Sequence, residues 1–148
     1  MTPTIAVSAV VLTDSAGRVL TVRKQGTSRF MLPGGKPEEG ESPDVCAIRE
    51  CAEEVGAVLD AERLKWLGHF VAPAANEAGH LVDSQVFIHP PVVVAGPSAE
   101  IAELRWLDPR DPLLPDDLAP MLAHHVLPAL VRAESAPDGE PLPGHERG

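Results

Sequence analysis

The chain has 148 residues, 44% of them hydrophobic but only 3% aromatic, and a formal net charge of −10. That length fits one domain with a modest core, built from Val, Leu, Ile and Ala because tyrosine is absent. The acidic balance argues against nonspecific nucleic-acid binding and against an anionic membrane surface, and no run approaches the roughly 20 apolar residues that span a bilayer.

Ile5 to Leu12 is nearly continuous in apolar residues, the pattern of a central strand. Asp14-Ser15-Ala16-Gly17 predicts a turn, and Arg18 to Arg23 a second strand, the pair forming a hairpin. Gln25 to Ser28 breaks the pattern, and Arg29 to Leu32 is a short strand entering the glycine-rich stretch Leu32-Pro33-Gly34-Gly35-Lys36. A helix is predicted over roughly Pro43 to Val55. Ser42 is its N-cap, Pro43 its first residue, Asp44 complements the dipole, and Gly56 ends it in a left-handed conformation. Leu64 to Val71, Leu81 to His89 and Ala102 to Leu107 read as strands, with Pro73 to Gly79 as loop. Asp116 or Asp117 is placed to cap a last helix reaching about Arg132 and bent near Pro128. The domain is expected to occupy residues 1–134. The tail 135–148, with little to bury, is expected to be disordered.

The predicted Pro43–Val55 helix carries the chemistry. At about 100° per residue, Glu53 and Glu54 lie roughly 60° and 40° to either side of Glu50. Val45, Ile48, Cys51, Ala52 and Val55 are expected to form the opposite, packing face. Three neighbouring carboxylates repel one another, and Arg49 is the only base within the helix to relieve them. Carboxylate and backbone oxygens suit Mg²⁺ or Mn²⁺, and Mg²⁺ held this way commonly shares its coordination with substrate phosphates. Cys46 and Cys51 point about 140° apart on the same helix, cannot bridge, and suggest a reducing compartment. With no signal-peptide pattern at the N-terminus, a cytoplasmic location is expected. His124 and His125 point about 100° apart on a helix and read as surface histidines.

Gly35 to Ala57 consists of a glycine, five residues, Glu41, seven residues, Arg49-Glu50, two residues, Glu53-Glu54, one residue, Gly56 and Ala57. This resembles the Nudix box of the Nudix hydrolases at every polar and glycine position, with Cys51 and Ala57 where the family has aliphatic residues. The resemblance implies an α/β fold, the Nudix α/β/α sandwich with a mixed sheet. It also implies Mg²⁺- or Mn²⁺-dependent hydrolysis of a nucleoside diphosphate linked to another group. By the same resemblance Glu50, Glu53 and Glu54, with the Gly35 carbonyl, hold metal; Arg49 orients the carboxylates; and Glu41 braces the loop. One box carboxylate, or Glu100 or Glu103 from a later segment, takes a proton from the attacking water.

The resemblance implies a small-molecule nucleotide substrate and admits a homodimer. Phosphate needs cationic partners, and Arg23, Lys24, Arg29 and Lys36 cluster around the first strands and the loop. Arg23 and Arg29 are the leading phosphate or sugar contacts, with Lys36 beside the loop. Phe30, Met31 and Leu32 are placed to wall a base. Small size and the tight Pro-Gly-Gly-Lys loop resemble the nucleotide-pool sanitisers of the family, which implies a nucleoside triphosphate, oxidised ones included, cut to monophosphate and pyrophosphate. Pro73, sixteen residues past Ala57, keeps ADP-ribose or a nucleotide sugar as the alternative. A nucleotide sensor without turnover is the alternative of another class.

Overall fold

The computed structural model describes residues 2–135. The expected tail lies outside them beyond Ser135. Among the described residues, six strands and two α-helices form two sheets with a helix on either side. The strands are β1 (Thr4–Leu12), β2 (Val19–Lys24), β3 (Gly34–Gly35), β4 (Lys65–Pro73), β5 (Leu81–His89) and β6 (Ile101–Leu107). The helices are α1 (Pro43–Val55) and α2 (Leu127–Ser135). A four-stranded mixed sheet runs β3-β1-β5-β4, and a two-stranded antiparallel sheet pairs β2 with β6.

β1 is central and buried towards its C-terminal end, as its apolar run predicts. It pairs in parallel with β5 from Thr4↔Leu81 to Leu12↔His89, an arrangement that needs a long crossover; α1 lies within it. Alternation along the strands sorts the core into two layers. Val10, Leu12, Leu20, Val22 and Phe87 pack with Ala47, Cys51 and Val55 of α1. Val11, Val19, Leu67 and Val86 pack with Leu122, Val126, Leu127 and Leu130 on the opposite side.

The structure corrects the expected β1–β2 hairpin. The turn forms, with the Asp14 carboxylate accepting from the Ala16 and Arg18 N–H groups, but a single bridge, Thr13↔Val19, joins the strands. Residues 33–35 already occupy that edge of β1: Ser8 and Ala9 pair with Gly35 and Gly34, and Val10 N–H donates to Pro33 O. β2 pairs with β6 instead.

The last helix also differs. Neither Asp116 nor Asp117 caps it: the Asp117 carboxylate takes Arg105 at 2.6 and 3.1 Å, and its carbonyl accepts from Phe30 N–H. A π-helical turn, Leu122–Val126, precedes α2, with Leu127 N–H reaching Leu122 O. The widened turn falls just before Pro128, which has no N–H to donate to the preceding turn.

Candidate active site

A cleft of about 630 Å³ opens between the α1 end of the central sheet and the helical turn before α2. Gly34, Gly35, Lys36, Glu50, Glu54, Lys24 and Glu100 line its polar part. The volume lies within the range of small-molecule sites.

α1 forms with Pro43 at its first turn and Gly56 left-handed at its end (φ 66°), donating to Ala52 O. Its buried residues are Cys46, Ala47, Cys51, Glu54 and Val55. On a helical wheel that arc is centred close to Glu54, so the expected packing face was misplaced: Val45 is 50% exposed and Ala52 is exposed. Glu54 therefore points into the protein, Glu53 points out, and Glu50 lies between them at the cleft.

Arg49 organises the acidic groups. Its Nε and Nη2 donate to the two Glu41 oxygens at 2.7 and 2.8 Å, a bidentate pair. Nη1 donates to Glu50 Oε2 and Glu53 Oε1, both at 3.1 Å, and Nη2 also reaches Lys36 O at 3.2 Å. One guanidinium thus joins the glycine loop, the segment after it and the helix. The Arg49 pair, reinforced by Glu38 N–H, holds Glu41 ionised down to about 2.

Glu54 is in the opposite condition. It is 1% exposed, accepts one hydrogen bond from Gly34 N–H at 3.2 Å, and has Lys24 Nζ at 3.5 Å. Burial pushes its pKa up to about 7, against the opposing pull of Lys24 and Gly34. Cys51 beside it is buried and its thiol is pushed well up, by desolvation first and the Glu54 charge second. It is a packing residue.

Gly35 shows how close the loop comes. A Cβ there would sit 2.5 Å from Glu50 Cδ, so only glycine leaves Glu50 its position. At Gly34 a Cβ would meet Ser8 O at 2.1 Å, fixing the loop against β1. The carboxylates of Glu50 and Glu54 at this end of the cleft are hard oxygen donors, which suit a divalent cation such as Mg²⁺. The residues that fit are Glu50, Glu54 and the Gly35 carbonyl. Among the described residues no three carboxylate, thiol or imidazole groups converge on one point, because Glu53 is turned to Arg49 and left largely exposed.

The NUDIX domain profile matches residues 2–129. The chain belongs to the Nudix family. A putative 8-oxo-dGTP diphosphatase of Bacillus subtilis (strain 168) is 28% identical over 68% of this chain and 64% of its own length. An ADP-ribose pyrophosphatase of Methanocaldococcus jannaschii is 32% identical over 58% of this chain and 50% of its own. The chain thus matches about half to two thirds of the length of these curated relatives. Among solved structures, a MutT protein from Methanosarcina mazei Go1 superposes with a TM-score of 0.75 at 22% identity, covering 91% of this chain and 98% of that one. The E. coli ORF135 protein gives 0.72 at 21%, covering 94% and 96%. These likenesses show the Nudix fold expected from the sequence.

Within this Nudix fold the other site candidates separate. Lys36 and Glu100 line the cleft; Gln25 N–H donates to Glu100 O and fixes it there. Arg23, Arg29, Phe30 and Glu103 do not line it. Arg23 is spent on Glu103 at 3.3 Å and Thr27 O at 2.8 Å. Arg29 donates to Asp116 O at 2.7 Å and faces a separate depression. Phe30 is buried under the Arg105 guanidinium, 3.7 Å from its ring centroid. Lys24 holds the place expected of Arg23. Successive residues of β2 point to opposite faces, so Lys24 turns to the cleft where Arg23 turns away; the extra residue at this step, Ala102, lies in β6, where Arg23 pairs with Glu103 and Lys24 with Ile101. No helix among the described residues is long and apolar enough to cross a membrane.

Proposed function

We propose that this chain is a divalent-metal-dependent hydrolase of a phosphoanhydride bond in a nucleoside diphosphate linked to another group. The preferred substrate is a nucleoside triphosphate, oxidised ones included, which takes up water and leaves as monophosphate and pyrophosphate. The observation that carries this reading is the placement of Glu50 and Glu54 together in the cleft, under a loop whose glycines admit no side chain.

Bound Mg²⁺ or Mn²⁺ supplies neutralisation of the phosphate oxygens and a more acidic water. The protein supplies the rest. Glu50, Glu54 and the Gly35 carbonyl hold the cation, and Glu53 completes the acidic set at its rim. Arg49 keeps Glu50 and Glu53 oriented, while Glu41 anchors Arg49. Lys24 and Lys36 face the phosphates. Glu100, which lines the cleft, takes the proton of the attacking water.

The name of the Bacillus relative supports the triphosphate. ADP-ribose is the second reading: Pro73 lines the cleft, and the Methanocaldococcus relative carries that activity in its name. Retention of Glu50, Glu53 and Glu54 speaks against a sensor without turnover. The two cysteines are free thiols, which supports a cytoplasmic enzyme acting on free nucleotides.

The test is a panel of dNTPs, 8-oxo-dGTP, ADP-ribose, nucleotide sugars and 5′-triphosphate RNA with Mg²⁺ or Mn²⁺. Pyrophosphate release from triphosphates is expected. Faster cleavage of ADP-ribose selects the second reading, and no turnover of any compound removes the enzyme.

A further inference from the structure

The aromatic residues of this protein number three Phe and two Trp, with no Tyr, and all five lie in the described part of the chain. None lines the cleft. Phe30 is buried beneath Arg105. Phe70 packs by His125 with ring centroids 6.1 Å apart. Phe87 is in the α1-side core, with Trp66 and Trp106 against it. Trp66 also donates its indole N–H to Gln85 Oε1 at 2.7 Å. A nucleobase entering here meets no aromatic face on which to stack.

What it meets is methionine. Met31 and Met121 both line the cleft, together with Leu32, Ala119, Leu122 and Val126. Both are partly buried, one against each core layer. Met31 precedes Gly34 by three residues, a distance of about 10 Å along extended chain, comparable with the reach from a diphosphate to its base. The thioether side chain is unbranched and polarizable, adapts its shape, and makes favourable contacts with aromatic rings. None of these six side chains carries a group that hydrogen-bonds strongly, so none reads a base edge; Gln25, Thr27, Asn76, Glu77 and Ser84, which line the same cleft, do carry such groups.

We infer that the base of the substrate lodges against Met31 and Met121, away from these polar side chains, so that the site selects the phosphate chain and not the base. The inference rests on the phosphate-binding role proposed for the Glu50–Glu54 end. It makes the protein a base-tolerant nucleoside triphosphate hydrolase that accepts oxidised purines without singling them out. Apolar contact discriminates between ligands by only about 10–200-fold, whereas a site built on hydrogen bonds reaches about 10⁴-fold or more.

The experiment uses protein labelled with [methyl-¹³C]methionine. The three methionines, Met1, Met31 and Met121, give separate signals, assigned with the volume-conserving variants M31L and M121L. Non-hydrolysable analogues of dATP and dCTP, with Mg²⁺, are expected to move the Met31 and Met121 methyls upfield through ring currents. Inorganic tripolyphosphate should leave them in place. Methyls that ignore the nucleotides, or follow tripolyphosphate equally, overturn the assignment. In kinetics, kcat/KM for the four dNTPs and 8-oxo-dGTP should fall within about 100-fold, and a wider spread overturns base tolerance. M31A and M121A should raise KM by a common factor of about ten for every base with kcat retained; no rise, or a rise for one base alone, overturns the role of that methionine. Methyls that shift in a protein without turnover would refute the hydrolase and keep the base seat, so the two failures are distinguishable.

Discussion

Glu41 and Glu54 stand thirteen residues apart in one motif and carry the same side chain, yet their environments drive them in opposite directions. Glu41 lies between the two arms of Arg49 and stays ionised down to about 2. Glu54 is sealed between α1 and the Gly34 loop with a single lysine 3.5 Å away, and burial raises it to about 7. The difference shows how the site divides its work. Charge pairing holds the scaffold, where the two-pronged Arg49 fork outweighs what the largely covered Glu41 carboxylate loses on leaving water. An underpaired carboxylate is kept where a divalent cation would complete it.

Removing the underpaired side has the largest expected effect. E54Q and E50Q should each lower kcat on the order of 10²–10⁴-fold, with circular dichroism and thermal unfolding unchanged or improved for E54Q. Near-normal turnover by both variants at saturating Mg²⁺ would remove these groups from the chemistry. G35A approaches the same carboxylate from the loop. Its Cβ meets only the end of the Glu50 side chain, so the fold should survive while activity falls with that of E50Q. G34A strikes the Ser8 backbone oxygen and should destabilise the protein by about 1–3 kcal/mol. Equal unfolding midpoints for the two glycine variants would contradict the loop geometry.

Breaking the paired side should be milder. R49K keeps the charge but loses the fork that spans Glu41, Glu50 and Glu53. The Mg²⁺ concentration giving half-maximal rate should rise about 10–100-fold, as for other groups that orient metal ligands. A rate loss with unchanged Mg²⁺ dependence would mean that Arg49 acts elsewhere.

Acidity distinguishes the two carboxylates without mutation. The folded-state pKa of Glu54 lies above its ordinary value, so the metal-free protein binds a proton there that the unfolded chain has lost. Stability from this group is full below pH about 4.5 and declines as pH rises to about 7, by up to about 3 kcal/mol. Glu41 works in reverse: its contribution is present above pH about 4.5 and is lost as pH falls towards 2. Unfolding in urea with chelator present should show a falling limb between pH 4.5 and 7 that E54Q flattens and Mg²⁺ offsets. A limb unaffected by E54Q would assign it to another group.

The chain announced the machinery better than its surroundings. The box spacing located Glu41, Arg49 and the glycines, because helix geometry and a loop that tolerates no Cβ are local requirements. The rotation of α1 was less legible. Its apolar content is thin, and a buried glutamate sits where a hydrophobic residue would mark the packing face. The β1–β2 hairpin failed because pairing is decided by which edge is vacant, and residues 33–35 had taken it. Arg23 and Lys24 are adjacent cations on opposite faces of β2, and the sequence does not say which face meets the cleft, because that is set by the pairing of β2 with β6.

The smallest predicted effect concerns two glutamates that the sequence could not separate. Glu100 precedes β6, its backbone carbonyl holds Gln25, and its residue lines the cleft. Glu103 lies within β6, opposite Arg23 in the ladder, and is half exposed in a 3.3 Å ion pair outside the cleft. An exposed pair of this kind contributes about 0–1 kcal/mol. E103Q should therefore leave the unfolding midpoint nearly fixed and kcat within about two-fold, the ordinary outcome for a surface change away from a site. E100Q should leave stability equally untouched but lower kcat at least about tenfold if it takes the proton from water. The loss should be largest at low pH, where fewer bases remain to substitute. Should E103Q prove the more damaging, β6 must present its other face to the substrate, and the position of Lys24 beside Glu54 would have to be abandoned with it.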